Sequence, residues 1–424
     1  MHAKTFDVII VGGGLAGLSC AVRLQKAGLD FLLLEAADRV GGRVKTDAVD
    51  GFLLNRGFQV LHTAYPEARR LLDYKALELK PFRPGAVFRV GGRFHTVADP
   101  LRAPRFLPQT LAAPIGTWGD RLRLARLAWR LVGTTQEAIF SAPEAPAPDF
   151  LRAQGFTELM IERFFVPFFS GVCLDPEIGA SSRVFQSIFR MFALGDVCLP
   201  ARGMEAIPMQ IAGLLQPGRV LTGIRVQAVG PGRVALGAGG ELACRRLVLA
   251  VEAPEVERML DLPRRTVSRG EHCLYFSAEK PPMDEPFLVV NAEGRGILNS
   301  VCAPSLVAPS YAPPGRSLVS VTVVGRHLET ESLSDLEKPV REQLGEWYGK
   351  AVDSWELLRS YVIRHGLPDQ APPVPDPTKP VGELRPGIFV CGEYGSLPSI
   401  QWALHSGRSA AEAVLAASMR SERL

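Results

Sequence analysis

Apolar positions along the chain fall into two periods. Val8 to Val11 is a short β-branched run that reads as a buried strand. Leu18, Val22 and Leu24 then recur at helical spacing, and Phe31 to Leu34 is a second compact apolar run. Together these predict a strand–helix–strand unit at the start of the chain. FRPGAVFRVGGRFHTV reads as two alternating strands around Gly91-Gly92. Phe150 to Phe192 is helical in pattern and rich in phenylalanine. Val220 to Val251 reads as strands, and HCLYFSA, FLVVN, GILNSVCA and SLVSVTVVG alternate as an antiparallel sheet would. A helix is expected over Leu336–Tyr348, a strand over Ile388–Cys391, and a long alanine-rich helix from near Ser399.

The first unit carries glycines where a dinucleotide requires them. Gly12, Gly14 and Gly17 are spaced G-x-G-x-x-G between strand and helix, with Leu15 and Ala16 inside the motif. Gly12 permits the tight turn, Gly14 lets backbone approach a pyrophosphate, and Gly17 lets the helix pack on the strand. The helix N-terminus offers N–H groups and a positive dipole end. Glu35 closes the second strand at the distance expected of a ribose-binding carboxylate. Ala36, Arg39, Gly42 and Arg43 follow in an E-A-x-x-R-x-G-G-R stretch, which adds a second glycine pair and a guanidinium.

On these residues the chain resembles the superfamily of FAD-dependent amine oxidases, protoporphyrinogen oxidases and phytoene desaturases. The resemblance is most specific over residues 7–46 and 387–413. It implies an α/β fold in which a discontinuous Rossmann-like FAD-binding domain (1–83, 200–270 and 381–424) is interrupted by an α+β substrate domain. That second domain would be mostly helical over 84–199 and would carry the antiparallel sheet over 271–380. By the same resemblance Gly57 and Phe58 pass beside the isoalloxazine, and Val226 packs on the adenine. Gly392 and Glu393 handle the ribityl-phosphate end, and Ile400, Trp402 and Ala403 open a helix aimed at the pyrimidine edge. FAD would be noncovalent, since no cysteine or histidine sits in an attachment motif. Two departures stand out. Trp402 replaces the glycine common before the alanine matching Ala403, and its indole either lies near the flavin or faces the core. The lysine that many amine oxidases place on the strand matching Cys273–Ala278 is missing.

Composition adds bounds. With 424 residues and 47% hydrophobic content the chain is long enough for two or three domains. A net charge of +4 gives no reason to expect a nucleic-acid partner. Seven cysteines lie far apart without a C-x-x-C pair, which favours reduced thiols in a cytoplasmic chain and no metal site. No apolar run reaches the roughly 18 residues of a spanning helix. Residues 100–133 interleave six arginines with leucine and tryptophan. This stretch reads either as a peripheral membrane contact or as an exposed helix face.

The function expected is hydride removal from a C–H bond of a small apolar substrate, isoprenoid or tetrapyrrole-like, with quinone or oxygen as electron acceptor. The cavity segments are apolar and aromatic, with Glu162 and Asp175 the nearest acids. No catalytic side chain stands out, because the flavin carries the chemistry. The alternatives are an amine oxidase and a non-redox binding protein on the same fold.

Overall fold

The computed structural model describes residues 5–325, 333–380 and 382–421. Thr5–Val11, Phe31–Leu34 and Glu241–Leu249 are parallel neighbours at the centre of one sheet, and all their core-facing residues are apolar. Val220–Leu221 extends this sheet at one edge, in parallel with Phe31–Leu34. Arg233–Leu236 and Val226–Gly230 form a hairpin against Glu241–Leu249. Ile388–Val390 joins the same strand in parallel, so the two ends of the chain meet in one sheet.

Helix Leu15–Lys26 covers this sheet, and the 22-residue terminal helix Ile400–Ser421 lies against it. Glycine makes that crossing close. A Cβ at Gly407 would overlap the Ala16 carbonyl oxygen, and the Ser19 hydroxyl donates to the Leu404 carbonyl at 2.7 Å. Glu67, at the start of a short helix (Pro66–Leu71), takes both arms of Arg408 at 2.8 and 3.0 Å and ties that helix to the same bundle.

A second sheet has seven strands in the order Glu356–Pro368, Ser268–Ala278, Ser317–Val324, Ser300–Cys302, Leu288–Asn291, Gly85–Val90, Arg93–Ala98. It is antiparallel except where Leu288–Asn291 runs parallel to Gly85–Val90. One face packs Leu274, Phe276, Val319 and Val321 under helix Leu333–Tyr348. The opposite face carries Cys273, Tyr275, Ser320, Thr322, Ser300 and Cys302, all buried.

The helices of residues 104–194 pack around fully buried phenylalanines: Phe165, Phe169 and Phe185 stand 4.6 to 5.7 Å apart through Phe185. Within them Ile161–Phe165 forms a π-helical turn. His62 lies in a two-residue strand paired with Val197 and is buried.

Candidate active site

The turn after the first strand is built for backbone alone. Gly12 has φ +108°, and a Cβ there would sit 2.6 Å from the Ala250 carbonyl oxygen. A Cβ at Gly17 would overlap the Gly12 carbonyl oxygen, so only glycine lets the helix start this close to the strand. No side chain caps the helix that begins at Leu15, which leaves its first N–H groups for an anion. Glu35 accepts from Gly13 N at 2.6 Å and Ala37 N at 2.8 Å, which fixes its carboxylate at the mouth of the turn. Across the mouth, Gly41 N donates to Gly13 O at 2.8 Å. A Cβ on Gly42 would stand 3.3 Å from Gly14 Cα. Two glycine loops therefore face each other over bare backbone.

The two arginines of this stretch have separate partners. Arg39 bonds Glu205 and Asp47, both at 2.6 Å, and braces the loop rather than reaching the turn. Arg43 points away from the turn too. Its Nη1 lies 2.7 Å from Glu393 Oε2 and donates to the Gly366 carbonyl at 2.6 Å. Glu393 Oε1 takes the Ala253 N–H at 2.9 Å and contacts His365 Nε2 at 2.6 Å, while His365 Nδ1 is 2.6 Å from the Ser268 hydroxyl. Burial alone would raise the Glu393 carboxyl. The bond to His365, the charge of Arg43 and the Ala253 N–H overcome this and hold it at about 2.

Val226 is buried beside the path of Gly223 and Ile224, whose N–H groups bond the carbonyls of Ala37 and Glu35 at 2.7 and 2.9 Å. It thus lies on the Glu35 side of the turn. At the terminal helix, Ser399 accepts the Trp402 N–H at 3.0 Å through its hydroxyl and the Ala403 N–H at 2.9 Å through its carbonyl. Ile400 and Ala403 are half-buried at this end. The Trp402 indole packs edge-on to Phe140 at 5.8 Å and to His405 at 5.5 Å. It belongs to the phenylalanine-rich core of the helical region.

Gly57 and Phe58 meet the second sheet. Gly57 has φ +93°, and a Cβ on it would overlap Glu271 Oε1, which accepts the Phe58 N–H at 3.0 Å. Glu271 is buried, and desolvation raises its carboxyl to about 7 against the single opposing Phe58 N–H. Sequence reading missed this acid because it began the strand at His272. The strand begins at Ser268, and it contains no lysine. Of the acids it did single out, Asp175 is tied to Gly179 N at 2.7 Å and Arg269 at 3.7 Å, and Glu162 is exposed.

The family model of flavin containing amine oxidoreductases matches residues 15–415, nearly the whole of this geometry. The chain belongs to that family. Its segments resemble Polyamine oxidase 2 of Arabidopsis thaliana, 44% identical over 62 residues, and Putrescine oxidase of Kocuria rosea, 44% over 72 residues. These alignments cover 15% and 17% of this chain and only 13% and 15% of the relatives. Solved structures extend the likeness to the whole fold. An Exiguobacterium sp. 255-15 protein named for protoporphyrinogen oxidase superposes with TM-score 0.73 at 18% identity, covering 97% of this chain and 99% of that one. Putrescine oxidase bound to putrescine gives 0.68 at 16% identity, with the same coverage.

Membership in the family makes FAD the cofactor, and the residues present fit it. The facing glycine loops and the uncapped helix start leave backbone N–H groups that would hold its pyrophosphate. One buried acceptor beside them, Gln59 Oε1, has no hydrogen-bond donor among the described residues, as a site for a ribityl hydroxyl would. In this family member Gly12, Gly14, Leu15, Ala16, Gly17, Glu35 and Gly42 surround one mouth. Gly57, Phe58, Glu393 and Arg43 gather at the seam between the two sheets.

Proposed function

We propose that this family member oxidises an uncharged, largely hydrocarbon or macrocyclic substrate that it collects at an anionic membrane surface. The observation that carries this reading is a second apolar face on helix Trp118–Val132. Leu127 and Leu131 are buried on one side. Trp118, Leu122 and Trp129, at i, i+4 and i+11, share the opposite side and are 65%, 74% and 82% exposed. Leu101, nearby in sequence, is 91% exposed. Arg123, Arg126 and Arg130 flank this face, and the one acid between residues 100 and 136, Asp120, is buried. Exposed tryptophan beside arginine without acids suits a headgroup interface. Among the described residues no helix is long and apolar enough to cross a membrane.

When bound, the flavin supplies hydride acceptance. The chain's residues do the rest. Its glycine loops and Glu35 hold the nucleotide end, Arg43 and Glu393 hold the ribityl region, and the closed seam at Gly57–Phe58 keeps water from the reacting bond. Quinone or oxygen would take the electrons.

Amine oxidation is the second reading. The relatives named for amines support it, and so does Glu271, a buried carboxylate able to pair with an ammonium group. The test for the first is flotation with anionic liposomes at low salt. Wild type should float and Trp118→Ser/Trp129→Ser should not, each arginine contributing about 1 kcal/mol that salt removes. Wild type that stays at the bottom would leave this helix as a solvated face. Anaerobic bleaching of the flavin by a simple amine, and not by polyenes or porphyrinogens, would promote the second reading.

A further inference from the structure

We infer that Glu271 is the proton-accepting group of the active site, facing the flavin edge from the second sheet. Removing hydrogen across a bond takes a hydride to the oxidised flavin and leaves a proton to be placed. In the inferred step the second X–H bond of the substrate breaks, and its electron pair stays on the substrate as the new double bond. The proton goes to a Glu271 carboxylate oxygen, which becomes a neutral acid. The inference rests on the flavin site of the family and is independent of whether the substrate is a hydrocarbon or an amine.

Three observations support it. The carboxylate lies against Gly57 and accepts the Phe58 N–H at 3.0 Å, the two residues expected beside the isoalloxazine. Among the described residues it has no cationic partner, so unlike Glu393 or Asp47 it is not neutralised within the structure. Its own strand, Ser268–Ala278, carries no lysine, and the arginine on it, Arg269, is tied to Asp369 at 2.8 Å. Cys273, two residues along on the same face, is a buried thiol pushed up to about 12 and is no competitor for the proton. A carboxyl raised to about 7 is poised to change hands with a proton near neutral pH.

The test uses FAD-loaded protein and light with EDTA as the electron source, so no substrate need be known. Reduction places negative charge beside Glu271 and should draw a proton onto it. The infrared difference spectrum of wild type should therefore show a protonated carboxyl band on reduction, absent in Glu271→Gln and kept, shifted, in Glu271→Asp. Glu271→Gln should retain yellow colour and FAD affinity within about threefold of wild type, with a flavin midpoint potential moved to more positive values because a negative charge is gone. A wild-type spectrum without a carboxyl band on reduction, or one unchanged in Glu271→Gln, overturns the inference. If Glu271→Gln does not fold, the wild-type spectrum and Glu271→Asp decide. Failure of the protein to take up FAD would instead sink the flavin site itself.

Discussion

At Gly17 the backbone dictates the residue. The carbonyl of Gly12 occupies the space of any β-carbon, and at Gly14 the facing Gly42 Cα would stand 3.9 Å from one. Gly14→Val is expected to purify colourless with unchanged circular dichroism. A yellow Gly14→Val would remove this turn from the FAD site. Such positions are legible in sequence because the constraint acts within a few residues. Glu271 is not legible that way. Its partner is Phe58, 213 residues away, and nothing local distinguishes it from a surface acid on an alternating strand. Its buried carboxyl has a second consequence. A raised pKa means the folded state binds a proton more tightly, so this stability is present below the unfolded value near 4.3 and is lost as pH rises through about 7. Urea titrations of the apoprotein should find Glu271→Gln more stable than wild type at pH 8, by up to about 3 kcal/mol, and the difference should vanish near pH 4. Equal stability at both values would mean the carboxylate is better solvated than its burial implies.

Among the elements, helix Trp118–Val132 shows where periodicity helps and where it fails. Its leucine spacing announces a helix, but the arginine-rich outer face has the same pattern whether it meets water or a membrane. What anchors it is Asp120, which is fully buried. Asp120 accepts from Thr117 N at 2.9 Å and its hydroxyl at 2.7 Å, and from Thr157 N at 3.0 Å and its hydroxyl at 2.7 Å. One carboxylate thus joins the N-termini of two helices, the first through a capping box. The capping box is visible in T-W-G-D. The contact with Thr157 is not, because it depends on how two helices cross. Burial would raise the Asp120 carboxyl, yet the bonds from Thr157 and Thr117 hold it at about 2. Its stabilisation is therefore full above the unfolded value near 3.9 and fades as pH falls toward 2. Asp120→Ala is expected to cost about 2–4 kcal/mol at pH 7 in urea melts, since two N–H groups lose their acceptor. The cost should shrink at pH 3. An unchanged cost there would mean the carboxyl matters through shape and not charge. The phenylalanine segments make the complementary point. Aromatic runs marked a buried region, but most of these rings pack on one another, and the polar row of Ser320, Thr322 and Ser300 on the facing sheet was hidden in an alternating strand pattern.

For the whole molecule, the seam between the two sheets is where the proposed cofactor site and the fold would meet. Several polar contacts cross it. Tyr275 donates to the Asn55 carbonyl at 2.8 Å, Tyr361 to Asp47 at 2.8 Å, Phe58 N to Glu271 at 3.0 Å, and Arg43 to the Gly366 carbonyl at 2.6 Å. His365, on the second sheet, reaches Glu393, which belongs to the first sheet's side together with Arg43. A ligand lying along this seam touches both bodies, so its binding and their docking are coupled. FAD at a hundredfold excess over its Kd should stabilise the protein by about 2.7 kcal/mol, and the apoprotein should melt correspondingly lower. Glu393 is the pivot. In Glu393→Gln the loss of a charged acceptor should weaken FAD by about 1.5–3 kcal/mol, roughly 10- to 100-fold in Kd by fluorescence titration. The depressed carboxyl makes wild type sensitive to acid in the same direction. The charge persists above the unfolded value near 4.3 and disappears as pH falls toward 2, so acid should release flavin along with the protein's fold. Acid precipitation is expected to leave a white pellet under a yellow supernatant, as noncovalent binding requires, and a yellow pellet would mean a covalent bond. If Glu393→Gln binds FAD as tightly as wild type but melts earlier without it, the Arg43–Glu393–His365 cluster is a strut between the two bodies and FAD is held by the glycine loops alone.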